Sequence, residues 1–142
     1  MARPPIDKVL MEVAFCLAQR ATCTKLAVGC VLADKHSRIL GSGYNGVPRG
    51  LPHCIDSPCA GACAPAGSDL CTAVHAEQNA LLVCRDPEQI VTCYTTYAPC
   101  LRCTKMLLNT ACERIVYFSD AFEAPAKALW LAAGRHWTRL AI

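Results

Sequence analysis

The chain is unusually rich in cysteine, with 12 cysteines in 142 residues. In a short secreted chain this density is typical of a disulfide scaffold. The sequence starts Met1-Ala2-Arg3-Pro4-Pro5-Ile6, however, without the apolar core of a signal peptide. With 54% hydrophobic residues it is long and apolar enough to bury a core without disulfides. We therefore expect a cytoplasmic location, where thiols stay reduced and their thiolates bind metals, zinc first.

Composition and charge exclude several classes of protein. Charged residues make up 18% of the chain, which is too few for a disordered protein of this hydrophobicity. No apolar run approaches the ~18–20 residues of a membrane span, so we expect no membrane association. The net charge of +3 suits a small anionic ligand and argues against tracking along a nucleic acid polymer. The length predicts a single domain over residues 1–142.

Hydrophobic patterning predicts alternating helices and strands. The predicted helices span 6–20, 74–85, 99–109 and 121–133, and the predicted strands span 26–33, 38–44, 90–96, 114–118 and 137–142. Residues 45–72, rich in proline, glycine and cysteine, read as a long loop. This order predicts an α/β domain in which one mixed sheet of about five strands lies between helices.

Two short motifs carry the chemistry. His75-Ala76-Glu77 opens the second predicted helix, and Pro99-Cys100-Leu101-Arg102-Cys103 opens the third, 25 residues later. Each motif alone is weak, since a histidine at a helix start is often structural and Cys-x-x-Cys serves several purposes. Together, His-x-Glu followed by Pro-Cys-x-x-Cys is the signature of zinc-dependent deaminases. We predict His75, Cys100 and Cys103 as ligands of a zinc ion.

The chemistry of zinc agrees with this interpretation. Three protein ligands leave a fourth position open, as in catalytic sites, and helix N-termini favour the thiolate form of cysteine. Zinc then makes water acidic enough to supply hydroxide near neutral pH. Glu77 lies two residues from His75 and does not share a helix face with it, so we predict a catalytic proton shuttle. The alternative is a structural zinc site beside an unrelated carboxylate.

Four stretches of the sequence resemble one known family. They are Val28-Gly29-Cys30-Val31-Leu32, Gly43-Tyr44-Asn45-Gly46-Val47-Pro48-Arg49-Gly50, the segment 71–81 around His75, and Tyr94-Thr95-Thr96-Tyr97-Ala98-Pro99-Cys100. From about Cys23 to Phe118 the chain resembles the deoxycytidylate (dCMP) deaminases of the cytidine deaminase superfamily. The resemblance implies the three-layer cytidine-deaminase-like fold. It also implies zinc-dependent hydrolysis of dCMP to dUMP and ammonia, feeding thymidylate synthesis.

The resemblance also implies roles for particular residues. Asn45 matches an asparagine that holds the nucleoside sugar, and Ala76, Thr96 and Pro99 fall at substrate-binding positions. Gly43, Tyr44, Asn45 and Gly46 match a motif for allosteric activation by dCTP and inhibition by dTTP at a subunit interface. Family members are commonly homohexamers. Without the resemblance, residues 43–46 are only a tight turn after a strand.

The remaining cysteines fall into two groups. Some family members carry a second, structural zinc, and the matching positions here are Cys23, Cys54, Cys59 and Cys71, with His53 and Cys63 as alternative ligands. The competing interpretation is that these are buried thiols without metal. Five others lie in apolar stretches and are predicted to be small core residues: Cys16, Cys30, Cys84, Cys93 and Cys112.

Other functions remain open at this point. A related zinc deaminase could act on free nucleosides, 5-substituted dCMP or tRNA adenosine, although a tRNA enzyme calls for a more basic surface. A non-enzymatic zinc module is the least favoured, because a structural site has no use for Glu77. Five basic residues are candidates for binding the substrate phosphate: Lys25, Arg49, Arg85, Arg102 and Arg114.

Overall fold

The computed structural model describes residues 2–23, 25–58, 71–120 and 124–141. The helices are α1 (Ile6–Ala18), α2 (Ala76–Val83), α3 (Leu101–Leu108) and α4 (Ala124–Ala132), with a 3₁₀ turn at Pro87–Gln89. The strands are β1 (Gly29–Ala33), β2 (Ile39–Tyr44), β3 (Thr92–Tyr97), β4 (Arg114–Ser119) and β5 (His136–Arg139). Among the described residues, no helix has the length and apolar character needed to cross a membrane.

The five strands form one mixed sheet in the order β2-β1-β3-β4-β5. Strand β1 is antiparallel to β2 and β3, whereas β3, β4 and β5 run parallel to one another. The register pairs Cys30 with Thr95, so the start of β1 lies beside the end of β3. This arrangement confirms the predicted mixed sheet of five strands.

Helices cover both faces of the sheet. Helix α1 packs on one face, where the buried cluster consists of Leu10, Met11, Ala14, Val31, Ala33, Tyr94 and Val116. Helices α2, α3 and α4 contribute to the cluster on the other face, which includes Leu32, Ala80, Cys93, Leu107, Ile115 and Trp130. Because successive strand residues point to opposite faces, the two clusters divide the strands between them. The predicted three-layer fold is confirmed.

Helix α2 lies unusually close to strand β2. A Cβ atom added at Gly43 would lie 2.8 Å from the Ala76 carbonyl oxygen and 2.8 Å from the Ala80 nitrogen. The side chain of Asn79 also donates a hydrogen bond to the Tyr44 carbonyl at 2.8 Å. Glycine at position 43 therefore permits the close approach that places the start of α2 over the sheet edge.

The first strand begins three residues later than predicted, at Gly29. The Val28 backbone N–H donates to Asn45 Oδ1 at 2.8 Å, and Asn45 Nδ2 donates to the Leu26 carbonyl at 2.7 Å. These backbone groups bond to a side chain instead of a neighbouring strand. Apolar patterning could not reveal this, because the competing partner lies 17 and 19 residues away.

The second helix also starts two residues later than predicted. Val74 pairs with Gly46 in an isolated antiparallel bridge, through two backbone hydrogen bonds of 3.1 and 2.8 Å. Helical geometry therefore begins only at Ala76, and His75 becomes the residue that precedes the helix.

Burial separates the five cysteines predicted to lie in the core. Four are buried as expected: Cys30, Cys84, Cys93 and Cys112. The prediction for Cys16 is wrong, since this side chain is exposed. Helix α1 buries the face that carries Leu10, Met11, Ala14 and Ala18, and Cys16 lies off that stripe.

Candidate active site

Three potential metal ligands converge where α2 and α3 begin. His75 precedes α2, Cys100 precedes α3, and Cys103 lies in the first turn of α3. The Nδ1 atom of His75 lies 3.4 Å from the Cys100 sulfur and 3.3 Å from the Cys103 sulfur. All three ligand atoms lie within 4.8 Å of one another. The fold thus brings together side chains that the sequence separates by 25 residues and more.

Local hydrogen bonds hold both helix starts in place. The His75 backbone N–H donates to Gln78 Oε1 at 2.9 Å, and the Cys103 backbone N–H donates to the Cys100 sulfur at 3.5 Å. The second bond puts Cys100 in the position of a helix-capping acceptor. The unpaired N–H groups at a helix start favour negative charge, so this position stabilises the Cys100 thiolate.

The three side chains are linked to one another by hydrogen bonds that change their pKa values. The hydrogen bond from the Cys103 thiol, aided by His75, lowers the pKa of Cys100 to about 4. The same hydrogen bond, together with burial, raises the pKa of Cys103, and the hydrogen bond with Cys100 raises the pKa of His75. A divalent cation placed among these atoms would take over the role of the protons, because metal binding releases protons from its ligands.

This donor set fits zinc. One imidazole nitrogen and two thiolate sulfurs are ligands that Zn²⁺ prefers, and three protein ligands are typical of a catalytic site. Among the described residues, His75, Cys100 and Cys103 are the potential metal ligands whose donor atoms converge at one point.

A buried carboxyl group accompanies the three ligands. Glu77, in the first turn of α2, is only 4% exposed. Burial raises the pKa of Glu77, against hydrogen bonds from Cys103 and Thr95 that favour its ionised form. Its oxygens do not belong to the convergent ligand group, although it lies beside Cys103. A carboxyl group in this position is suited to moving protons near the metal without binding it.

Thr95 is a site residue that the sequence analysis missed. Its hydroxyl donates to Glu77 Oε1 at 2.9 Å and lies 2.7 Å from the Tyr97 carbonyl oxygen. The neighbouring Thr96, predicted to bind substrate, is not brought into the cluster: its hydroxyl accepts a hydrogen bond from the Gly29 N–H at 3.2 Å. Alternation along β3 explains the difference, and only the facing partners tell which threonine meets Glu77.

Comparison with known proteins agrees with this geometry. Residues 4–119 match the model of the family described as the cytidine and deoxycytidylate deaminase zinc-binding region. The chain belongs to this family. It is accordingly an enzyme of the hydrolase class, and its zinc-binding region contains the His75, Cys100 and Cys103 cluster.

Several relatives of this chain are named deoxycytidylate deaminase. The enzyme of Mycobacterium phage D29 is 39% identical over 126 residues, which cover 82% of this chain and 97% of the phage protein. The Schizosaccharomyces pombe enzyme is 35% identical over 93% of this chain, but the chain spans only 43% of that protein. The structure of the dCMP deaminase of cyanophage S-TIM5 in complex with dCMP and dUMP superposes with a TM-score of 0.80. The two share 24% identity, and the superposition covers 99% of this chain and all of the phage chain.

The other predicted substrate contacts of this deaminase are Ala76, Pro99 and Asn45, and all three are buried. Ala76 and Pro99 directly follow and precede metal ligands and are buried. Asn45 is 7% exposed, and its amide holds the backbone ahead of β1 through the two hydrogen bonds described above. The predicted effector turn has internal roles as well, since Gly43 admits α2 and Gly46 pairs with Val74.

The cysteines predicted to bind a second zinc are only partly described. Cys54 is buried, and Cys23 and Cys71 are half-buried. The Ile55 N–H donates to the Thr22 carbonyl at 3.2 Å, which joins the loop around Cys54 to the segment around Cys23. Cys59 lies outside the described residues, as does the alternative ligand Cys63, so the four-cysteine site stays a prediction.

One candidate for phosphate binding is engaged elsewhere. Arg114 donates two hydrogen bonds to the Asp7 carboxylate, at 2.7 and 2.8 Å. Arg114 is paired in register with Thr92 at the start of β3, whereas Cys100 and Cys103 follow the end of that strand. Arg102 lies beside Cys103, and its positive charge opposes the rise in the pKa of His75. Arg102 is therefore closer to the site than Arg114.

Proposed function

We propose that this deaminase hydrolyses dCMP to dUMP and ammonia with a zinc ion held by His75, Cys100 and Cys103. The observation that carries the proposal is the buried carboxyl group of Glu77, which lies beside the ligand group without belonging to it. The names of the phage and yeast relatives support dCMP as the substrate. The dCMP and dUMP in the cyanophage complex support a nucleotide monophosphate site in this fold.

The proposed chemistry divides between the metal and Glu77. When bound, zinc supplies Lewis acidity, which lowers the pKa of water enough to provide the attacking nucleophile near neutral pH. Glu77 accepts a proton as water attacks C4 of the cytosine and passes it to ring nitrogen N3. Glu77 then takes the remaining proton from the new C4 hydroxyl group and gives it to the amino group, which leaves as ammonia while C4 becomes the carbonyl carbon of uracil. Burial suits this work, since it raises the pKa of Glu77 toward the operating pH.

Substrate contacts follow from positions around the cluster. After its two backbone bonds, the Asn45 amide keeps one N–H and one acceptor lone pair, and we assign these to the nucleoside sugar. Ala76 and Pro99 line the base site beside the metal ligands. Thr96 is left out of this set, because its side chain bonds to Gly29 on the other face.

The proposal is tested with purified zinc-loaded protein and five substrates. These are dCMP, deoxycytidine, dCTP, 5-methyl-dCMP and an RNA hairpin, followed by the ultraviolet change from cytosine to uracil and by ammonia release. We expect dCMP to give the highest kcat/KM. A preference for deoxycytidine, for the methylated nucleotide or for RNA adenosine would contradict the substrate assignment while leaving the zinc chemistry intact.

Regulation and assembly form a further part of the proposal. The turn of Gly43, Tyr44, Asn45 and Gly46 resembles an effector motif, so we expect activation by dCTP and inhibition by dTTP in a homohexamer. An effector can act only if it binds two states of the enzyme with different affinity. Steady-state curves with each nucleotide, run beside light scattering, test this. Hyperbolic curves indifferent to both nucleotides would leave the turn with its packing role alone.

The second zinc and the cellular setting complete the proposal. Cys23, Cys54, Cys59 and Cys71 would form a closed structural site that holds the loop of residues 45–72, because four thiolates satisfy tetrahedral zinc. The thiolate ligands require reducing conditions, which supports a cytoplasmic location. There the single domain of residues 1–142 would supply dUMP for thymidylate synthesis.

A further inference from the structure

The hydroxyl group of Thr95 is placed between two acceptors. Glu77 Oε1 lies 2.9 Å from Thr95 Oγ1, and the Tyr97 carbonyl oxygen lies 2.7 Å from it. Thr95 is fully buried, so solvent does not compete for these bonds. A threonine hydroxyl has a single hydrogen and can also accept, whereas a carbonyl oxygen can only accept.

Thr95 donates its single hydrogen to Glu77 Oε1, and this bond joins strand β3 to the first turn of α2. The bond therefore holds one oxygen of the Glu77 carboxyl group at a fixed place against the sheet.

The position of Thr95 in the sheet points to the same role. Its side chain lies on the same face of the sheet as Cys93, which packs with residues of α2. Its backbone is paired with that of Cys30 on the neighbouring strand β1. A buried hydroxyl is costly in such a place unless it is hydrogen-bonded, and an apolar residue of the same shape would pack as well. Thr96, by contrast, accepts from the Gly29 N–H and so completes contacts between β1 and β3.

We propose that Thr95 is a positioning residue for the deamination, because its hydroxyl fixes the orientation of the Glu77 carboxyl group beside the metal site. Holding Oε1 determines where the second oxygen, Oε2, points. That orientation decides whether a proton can pass between water, N3 and the leaving amino group. The inference rests on the proposed function, and it adds a residue that neither zinc-binding motif contains.

The test compares Thr95→Val, which removes the hydroxyl and keeps the shape, with Thr95→Ser, which keeps the hydroxyl. We expect Thr95→Val to lower kcat for dCMP about 10- to 100-fold, as for the loss of one hydrogen bond to a charged group. KM and zinc content should stay within twofold of the wild type. Thr95→Ser should recover most of kcat, and crystal structures should show a turned Glu77 carboxyl group in the valine variant only.

Thr104→Val is the matched control. Thr104 is also a fully buried threonine, but its hydroxyl has no hydrogen-bond partner among the described residues. Its replacement should leave kcat and KM unchanged, since no bond is lost.

Three outcomes would overturn the inference. They are a Thr95→Val enzyme with kcat within twofold of wild type, a serine variant as slow as the valine variant, and loss of zinc from the Thr95→Val enzyme. A wild-type protein inactive on dCMP would instead refute the proposed function. The Glu77 orientation in the crystal structures would still decide the role of Thr95.

Discussion

Glu77 shows how one side chain acquires a function from its surroundings. It begins a helix, is 4% exposed, and lies between the Cys103 thiol and the Thr95 hydroxyl. A glutamate at the same helix position on the surface would only interact with the helix dipole. Burial raises the pKa of Glu77, and together with its place beside Cys103 this suits the group to both accepting and donating a proton.

Replacing Glu77 by glutamine should separate catalysis from metal binding. We expect Glu77→Gln to keep zinc and to lose about 10²–10⁴-fold in kcat, because the amide cannot shuttle a proton. Metal analysis and a rate assay check this. Glu113→Gln changes an exposed glutamate and should behave as the wild type. Loss of zinc from the Glu77 variant would make Glu77 a ligand and refute its assigned role.

At the scale of secondary structure, the site depends on how α2 and α3 lie against the sheet. Helix α2 is held on β2 by the close approach at Gly43 and by the hydrogen bond from Asn79 to Tyr44. Helix α3 is held at its other end by Arg135, which donates to the carbonyl groups of Leu107, Leu108, Thr110 and Cys112. These contacts position the helix starts that carry His75, Cys100 and Cys103, the residues proposed to bind zinc.

Substituting alanine for Gly43 should therefore displace the start of α2 and disturb the site that it carries. The added Cβ would lie 2.8 Å from backbone atoms of α2, so the helix must shift. We expect Gly43→Ala to destabilise the fold by about 1–3 kcal/mol, as overpacking does, with a lower midpoint in thermal unfolding. Ser42→Ala, a change at the adjacent residue of β2, should leave the unfolding midpoint nearly unchanged. An unchanged midpoint combined with lost dCTP activation would instead make Gly43 an effector residue.

At the scale of the whole molecule, a polar network joins α1 to the starts of β3 and β4, at the end of these strands opposite Cys100. The Tyr94 hydroxyl donates to Asp7 at 2.6 Å, and Arg114 binds the same carboxylate through two hydrogen bonds. The network ties α1 to β3 and β4 across 107 residues of sequence. The Arg114 guanidinium, aided by Tyr94, holds the pKa of Asp7 below its ordinary value of 3.8.

This network predicts how stability depends on pH. Because the folded-state pKa of Asp7 is depressed, its contribution is complete well above pH 4 and is lost as the pH falls through the folded-state value. Asp7→Asn should lower stability by about 1–3 kcal/mol at pH 7, since Arg114 loses a charged partner. In urea unfolding, the gap between wild type and variant should shrink below about pH 4. Glu12→Gln, an exposed change on the same helix, should show no gap at either pH.

The number of zinc ions per chain tests whether the loop cysteines form a second site. If the loop cysteines form a closed site, the wild type should carry about two zinc ions per chain and Cys71→Ser about one, with a lower unfolding temperature. Cys16→Ser, which changes an exposed cysteine of α1, should leave both values unchanged. One zinc in a fully loaded wild type would rule out the second site.

The sequence by itself predicted the order of helices and strands and the three side chains that the fold brings together. His75 and Cys100 each stand at the start of a predicted helix, Cys103 follows Cys100 by three residues, and these signals are local in the chain. Adjacent residues therefore carried enough information to predict a three-ligand site and the free carboxylate of Glu77.

Only the tertiary structure decided which neighbouring side chains serve the site. Thr95 and Thr96 have the same chemistry, but the packing of α2 on one face of the sheet brings Thr95 to Glu77, while Thr96 bonds to Gly29 of β1. Arg114 likewise looked available until the fold paired it with Asp7, 107 positions earlier. Such contacts join residues far apart in the chain, and no local pattern encodes which face or which partner a side chain will find.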